Sequence, residues 1–189
     1  MRSSILRFVL PGILCLTVLA GCASPQGEFR SKKDPAYKDR LGRVLIVYHN
    51  ERESAPQLGR KFADVMLKRL SESLAQKGVV AETVRPSYEE LDANAPVRAA
   101  IDRFHPQQAI HFGWTGSSTL SGWSVSGELP RFTHETSTKF AYSLLAGPRA
   151  ETVWRGAVSY YALPDAETVA EQFIQQLLKE EILPSPTAA

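Results

Sequence analysis

The sequence has little cysteine and almost no net charge, and both scarcities exclude classes of protein. Cysteine occurs twice in 189 residues, at positions 15 and 22. The chain has 22 Lys and Arg residues against 20 Asp and Glu residues, and two of the basic residues, Arg2 and Arg7, lie within the first 21 positions. The remainder is formally neutral. This argues against a nucleic-acid-binding protein, because such binding needs a net basic surface.

The apolar run near the N-terminus is too short to cross a bilayer. It extends over residues 8–20, fewer than the roughly 20 residues of a membrane-spanning helix, and it follows Arg2 and Arg7 as the core of an export signal does. The run ends in Leu19, Ala20, Gly21 and Cys22. These four residues resemble the lipobox of bacterial lipoproteins, in which small residues admit the chain to a signal peptidase and the thiol becomes a thioether to diacylglycerol.

The lipobox resemblance implies that residues 1–21 are a signal peptide and that Cys22 is acylated. In this family the following residue guides sorting, and Ala23 replaces the Asp that is typical of inner-membrane retention. The resemblance therefore implies the cell envelope, with an outer-membrane anchor and a domain that faces the periplasm. Since Cys15 would leave with the signal peptide, no thiol remains in the mature domain for a disulfide, a zinc cluster or a nucleophile.

Residues 22–42 are predicted to be the acylated cysteine and a flexible tether, because Pro, Gly, Ser and charges of both signs follow one another there without a hydrophobic period. The basic residues of this segment are candidates for contact with lipid phosphates, but Glu28, Asp34 and Asp39 offset them, so we expect a solvated linker. A single domain is predicted over residues 43–184, with a disordered tail over 185–189.

The hydrophobic pattern of the domain predicts alternating strands and helices, then strands alone. Val44 to Tyr48 is typical of a buried strand, and Ser54 begins a helical pattern that ends at Gly78. The remaining predicted elements are strands over 79–84, 108–114, 119–129, 137–146 and 151–161, a helical turn at 87–90, a short helix capped by Asn94, and a last helix capped by Asp165 and closed by Pro184. We therefore expect an α/β (mixed α+β) fold with one parallel and antiparallel sheet of about six strands.

This order of elements behind a lipobox resembles small envelope lipoproteins, notably those similar to the N-terminal domain of TolB and to penicillin-binding-protein activators. The resemblance extends over residues 43–184 as a pattern, without matching motifs. It implies a fold and transfers no site.

Three partial motifs argue against an enzyme, and we expect no cofactor. His134 begins an HExxH pattern, but Thr138 occupies the second histidine position. Ser124 lies in a near match to G-x-S-x-G inside a predicted strand. The Gly-rich segment 113–119 has no Lys and precedes no helix, so it lacks the features of a phosphate-binding loop. We expect no metal, since His49, His105 and His111 have no ligand spacing, and His111 is expected to be hydrogen-bonded.

The informative stretch is a predicted Ser/Gly-rich loop within residues 113–127. Trp114 and Trp123 flank it, and Ser117 and Ser118 lie in it. Exposed indoles beside small polar residues anchor protein partners or stack on sugars, whereas buried indoles fill a core. The first hypothesis is a non-enzymatic adaptor or assembly accessory that binds another envelope protein. The alternative is a lipoprotein that binds glycan or glycolipid through the same loop.

Overall fold

The fold is a six-stranded mixed sheet with three helices, as the sequence predicted. The computed structural model describes residues 27–50, 59–86, 91–125, 130–162 and 164–184. The sheet has the order β1-β6-β5-β4-β2-β3. Its elements are β1 (Glu28–Lys33), β2 (Arg43–Asn50), α1 (Arg60–Ala75), β3 (Val80–Val84), α2 (Ala95–Phe104), β4 (Gln108–Val125), β5 (Pro130–Ala146), β6 (Glu151–Tyr160) and α3 (Ala166–Lys179).

One half of the sheet is parallel and the other is antiparallel. β2 lies between β3 and β4 and is parallel to both, so α1 and α2 are the crossovers that parallel neighbours require. β4, β5, β6 and β1 are antiparallel in turn. The predicted combination of parallel and antiparallel pairing in one sheet is confirmed.

The main core lies on one side of the sheet, beneath α1 and α3. Phe173 of α3 contacts the ring of Phe112 at a centroid distance of 4.8 Å, and Tyr142 lies 4.4 Å from Trp154 by the same measure. These four aromatic side chains are at most 3% exposed. On the other side, α2 covers only the parallel end of the sheet, where Ala100 and Phe104 pack with Leu45 and Val47.

The helix ends follow local signals with some differences. The carboxylate of Asp165 accepts a hydrogen bond from the Thr168 amide at 2.7 Å, as a cap does. Asn94 precedes α2, but its side chain makes no capping hydrogen bond. α3 ends at Lys179 because Glu181 adopts a positive φ of 56°, although Ile182 remains fully buried. The predicted start of α1 at Ser54 and the turn at 87–90 lie outside the described residues.

The segment predicted as a flexible tether forms part of the sheet. Residues 28–33 are strand β1 and pair with β6 from Glu28↔Ser159 to Lys33↔Trp154. Further on, Tyr37 and Leu41 are buried at 7% and 3% exposure. The prediction failed here because backbone hydrogen bonds hold an edge strand to its single neighbour whatever its side chains, so the segment needs little apolar periodicity.

The predicted strand 108–114 and the described part of the predicted strand 119–129 belong to one strand, β4, which continues through the segment predicted as a loop. A register shift between Trp114 and Gly116 marks a bulge at this point. The sheet thus has the expected number of strands, because β1 was missed and two predicted strands are one. None of the helices within the described residues is long and apolar enough to cross a membrane.

Candidate functional site

The side of the sheet opposite α1 and α3 carries the candidate site. Along β4, β5, β6 and β1, side chains alternate between the buried core and this second side. On this side, α2 lies at the parallel end of the sheet, where its cluster with β2 includes Ala109 of β4, and a groove of about 710 Å³ crosses the four strands beyond it. We call this surface the open face; its residues are Arg30, Lys32, His49, His111, Gly113, Ala141, Ser143, Arg155 and Ala157.

Two rows of residues cross the open face from strand to strand. The first row has small residues between two basic ones, in the order Arg30, Ala157, Ala141, Gly113 and His49. The second row has polar and basic residues in the order Lys32, Arg155, Ser143 and His111. The small side chains form the floor of the groove, and hydrogen-bond donors surround it.

Gly113 lies on the floor of the groove, where the backbone of β4 is close to that of β2. A Cβ atom at this position would lie 2.9 Å from the carbonyl oxygen of His49, closer than real Cβ atoms come. Glycine therefore permits the close approach of β2 and β4 where the groove begins.

The open face is basic. Lys32 and Arg155 are exposed and directly opposite each other on paired strands, and neither forms an ion pair with an acidic side chain among the described residues. Arg30 forms an ion pair with Glu28 at 2.7 Å. Opposed like charges destabilise a strand pair, so this arrangement favours an anionic ligand or surface.

Two histidines form a hydrogen-bonded pair at the end of the groove next to β2. His49 Nε2 lies 3.0 Å from His111 Nδ1, and the rings are nearly parallel, with an interplanar angle of 17°. Burial and the neighbouring imidazole of His49 lower the pKa of His111, so the uncharged form is favoured. The described residues bring together no group of three His, Cys, Asp or Glu side chains able to hold a metal.

β4 and β5 form a two-stranded ribbon beyond the described ends of β2 and β6. Within the described residues, β2 pairs with β4 as far as Trp114, and β6 pairs with β5 as far as Thr138. β4 and β5 nevertheless continue to pair for eight further positions, from Ser118↔Ser137 to Val125↔Pro130. We call this part, residues 118–125 and 130–137, the ribbon.

The residues singled out from the sequence are divided between the core and the ribbon. Trp114 is only 4% exposed and packs in the main core, so it is not the exposed anchor that the sequence allowed. The alternation of β4 places it on the covered side with Phe112. Ser117 is exposed, and the backbones of Ser118 and Trp123 lie in the ribbon, while their side chains lie outside the described structure. Cys22 also lies outside the described residues.

The partial catalytic motifs all lie on strands. His134 is in β5, where residues four apart do not share a helical face, and Ser124 is in β4 rather than at a strand-to-helix turn. The described backbone therefore has neither the helix of a zinc protease nor the nucleophile turn of a serine hydrolase at these positions.

Sequence reasoning missed the open face. Its basic residues come from two distant segments, residues 30–32 and residue 155, and the first was assigned to the tether. In the sequence, the available signal was the alternation of charged Arg30 and Lys32 with uncharged Phe29 and Ser31. This signal is weak, because the β1 residues on the covered side are only half-buried and few of them are apolar.

The comparisons with known proteins find solved structures of low similarity to this chain. No family model matches the chain, and no curated protein matches its sequence. A PelC dodecamer from Paraburkholderia phytofirmans is 10% identical, with a TM-score of 0.47 over 85% of this chain and 100% of that chain. Lipoprotein GNA1162 from Neisseria meningitidis is 14% identical, with a TM-score of 0.40 over 74% of this chain and 97% of that chain. TolB from Acinetobacter baumannii is 11% identical, with a TM-score of 0.33 over 82% of this chain and 32% of that chain.

Proposed function

We propose that this protein is a lipoprotein of the outer membrane, anchored through acylated Cys22, that acts as a non-enzymatic adaptor or assembly accessory. Its domain faces the periplasm and binds another envelope protein through the ribbon. The lipobox residues Leu19 to Cys22, the preceding export signal and Ala23 support the anchor and its location.

The ribbon is the observation that carries the adaptor function. A two-stranded ribbon is marginally stable alone in water, because it lacks a third strand or a helix to pack against. Eight residue pairs extend past the ends of β2 and β6 in the described structure. A partner that packs on such an extension or pairs with it stabilises it. The ribbon residues are held in place by the sheet from which the ribbon extends, which suits them for recognition.

The position of Trp114 favours a protein partner over the glycan alternative. A sugar platform at both ends of the Ser/Gly-rich segment needs two exposed indoles, and Trp114 lies in the core. The proposed contact residues are therefore Ser117, Ser118 and Trp123, with Trp114 holding the root of the ribbon in place.

Crosslinking in cells tests the adaptor function. A photoreactive amino acid replaces Ser121 or Ser124 in the ribbon, and Gln175 on the exposed side of α3 is the matched control position. We expect one discrete protein adduct from the ribbon positions and none from Gln175. A polysaccharide or lipopolysaccharide adduct from the ribbon would support the glycan alternative, and equal adducts from all positions would contradict a specific site.

Acylation is tested separately. Cys22→Ser should abolish the acyl mass and release the domain from membranes, whereas Cys15→Ser should leave both unchanged, because Cys15 lies within the signal. Native protein with an unmodified Cys22 would contradict the anchor.

A further inference from the structure

We infer that the open face docks on the anionic headgroups of the same bilayer that holds the acylated cysteine. The inference rests on the proposed acylation of Cys22 for its geometry, and on the charges of the folded domain for its chemistry. It assigns the open face a second contact, distinct from the protein contact of the ribbon.

The first argument is distance. β1 begins at Glu28, six residues after Cys22. Six residues span at most roughly 20 Å when fully extended. Since β1 is the edge strand and borders the open face, the short connection holds this edge of the face within about 20 Å of the lipid surface. A 20-residue tether would have imposed no such closeness.

The second argument is the sign of the charge. Residues 28–40 carry five basic and three acidic residues, and in β1 the alternation places Arg30 and Lys32 on the same exposed side as one of the acidic residues, Glu28. Arg30, Lys32 and Arg155 line the groove. Glu28 pairs with Arg30, which leaves Lys32 and Arg155 without a carboxylate partner in the described part of the chain.

Protection of the sheet edge does not explain this charge. Lysine on an edge strand prevents other strands from pairing with it, and Lys32 serves that purpose. Arg155, however, is on β6, which has neighbours on both sides. Because Arg155 lies opposite Lys32, the two positive charges repel each other, and Arg155 does not protect the edge of the sheet. A lipid phosphate between the two groups would relieve that repulsion.

The third argument is shape. Ala141, Ala157 and Gly113 form a floor without large side chains, so headgroups reach the basic groups around it. Once Cys22 is anchored, docking is an intramolecular step with a high effective concentration. Modest electrostatic attraction then suffices to orient the domain.

Binding to vesicles tests the inference in the absence of the anchor. The mature chain carrying Cys22→Ser is mixed with phosphatidylcholine vesicles, with or without phosphatidylglycerol, and sedimented. We expect binding only with phosphatidylglycerol, and loss of binding at high salt. Each Lys or Arg near an anionic surface raises partitioning roughly fivefold. Combining Arg30→Gln, Lys32→Gln and Arg155→Gln should therefore lower it on the order of a hundredfold.

A second triple variant is the matched control. Lys61→Gln, Lys68→Gln and Lys77→Gln remove the same charge from α1 and the turn that follows it, and partitioning should change less than about threefold because these groups lie on the other side of the sheet. Equal losses in both variants would overturn the inference, as would equal binding to both vesicles. An open-face variant that changes only the oligomeric state, with unchanged vesicle binding, would overturn it in favour of a second copy of the chain.

The experiments distinguish a failure of the proposed anchor from a failure of the proposed docking face. The acylated protein should float with both kinds of vesicle, so failure to float contradicts the proposed anchor. The Cys22→Ser chain reports only on the face. Circular dichroism and urea midpoints equal to those of the parent chain show that the exposed substitutions leave the fold intact.

Discussion

The two sides of the antiparallel part of the sheet are made from the same strands and differ in nearly every property. On the covered side, Phe112, Phe140, Tyr142 and Trp154 are between 0% and 3% exposed. Phe112, Tyr142 and Trp154 pack against Phe173 of α3, and Phe140 packs against Phe112. On the open face, the alternating residues of the same strands are small, hydroxylic or basic.

The difference separates stability from function. Burial of large apolar side chains supplies most of the folding free energy, and it is concentrated on one side. The other side therefore tolerates unpaired charges and a glycine-lined groove. Substitutions on the covered side should unfold the protein, and substitutions on the open face should change what it binds.

The largest effect is expected from Phe173→Ala. The ring is 2% exposed and contacts three aromatic side chains, so its loss should lower the free energy of unfolding by roughly 3–5 kcal/mol. Urea denaturation measures it. Ser143→Ala on the open face is the matched control, with a change within about 0.5 kcal/mol. A loss below about 1 kcal/mol for Phe173→Ala would show that α3 does not hold the core.

Trp114→Ala tests whether the root of the ribbon belongs to the covered side. Because the indole is buried, we expect a loss of about 3 kcal/mol in the free energy of unfolding. A variant with the parent urea midpoint and a lost crosslink would instead identify Trp114 as an exposed contact residue, for either a protein or a glycan.

Asp165→Ala should have a smaller effect, at the N-terminus of the helix that covers the core. The hydrogen bonds from Thr168 lower the pKa of Asp165, and loss of such a cap costs about 1 kcal/mol. The cap contributes fully above the ordinary carboxylate pKa and is lost as pH falls through the lowered value. Asp165→Asn, which also caps, should retain most of the stability, and equal losses for Ala and Asn would contradict the capping role.

The smallest effect is expected from His111, the open-face group that resists protonation. Its pKa is lowered from 6.5 by burial, so the unfolded chain binds more protons than the folded chain once pH falls below that value. The free energy of unfolding should decline from about pH 6.5 downwards and level off below the lowered pKa. His111→Gln should reduce this decline. Equal slopes in the parent and the variant would refute the assignment.

The sequence predicted most of the elements correctly but misjudged their ends and one segment. Apolar periodicity identified α1, α3 and the strands that include Val44, Ile110 and Trp154, because these elements bury one side or both. Strand β1 and the continuation of β4 were not predicted, since backbone pairing rather than apolar periodicity holds them in the sheet. Of the predicted contact residues, Ser118 and Trp123 lie in the ribbon, Ser117 directly precedes it and Trp114 is buried, and the contact role of the first three stays a prediction.

The sequence by itself determined the cap at Asp165, and it predicted the export signal and the lipobox at Cys22, all of which are written in adjacent residues. These signals are local, so neighbouring residues suffice to identify them. Only the tertiary structure decided that the supposed tether is an edge strand, that Lys32 lies opposite Arg155, and that a groove crosses one side of four strands. Those features depend on which strands pair and on which side the helices pack, and no local pattern specifies either.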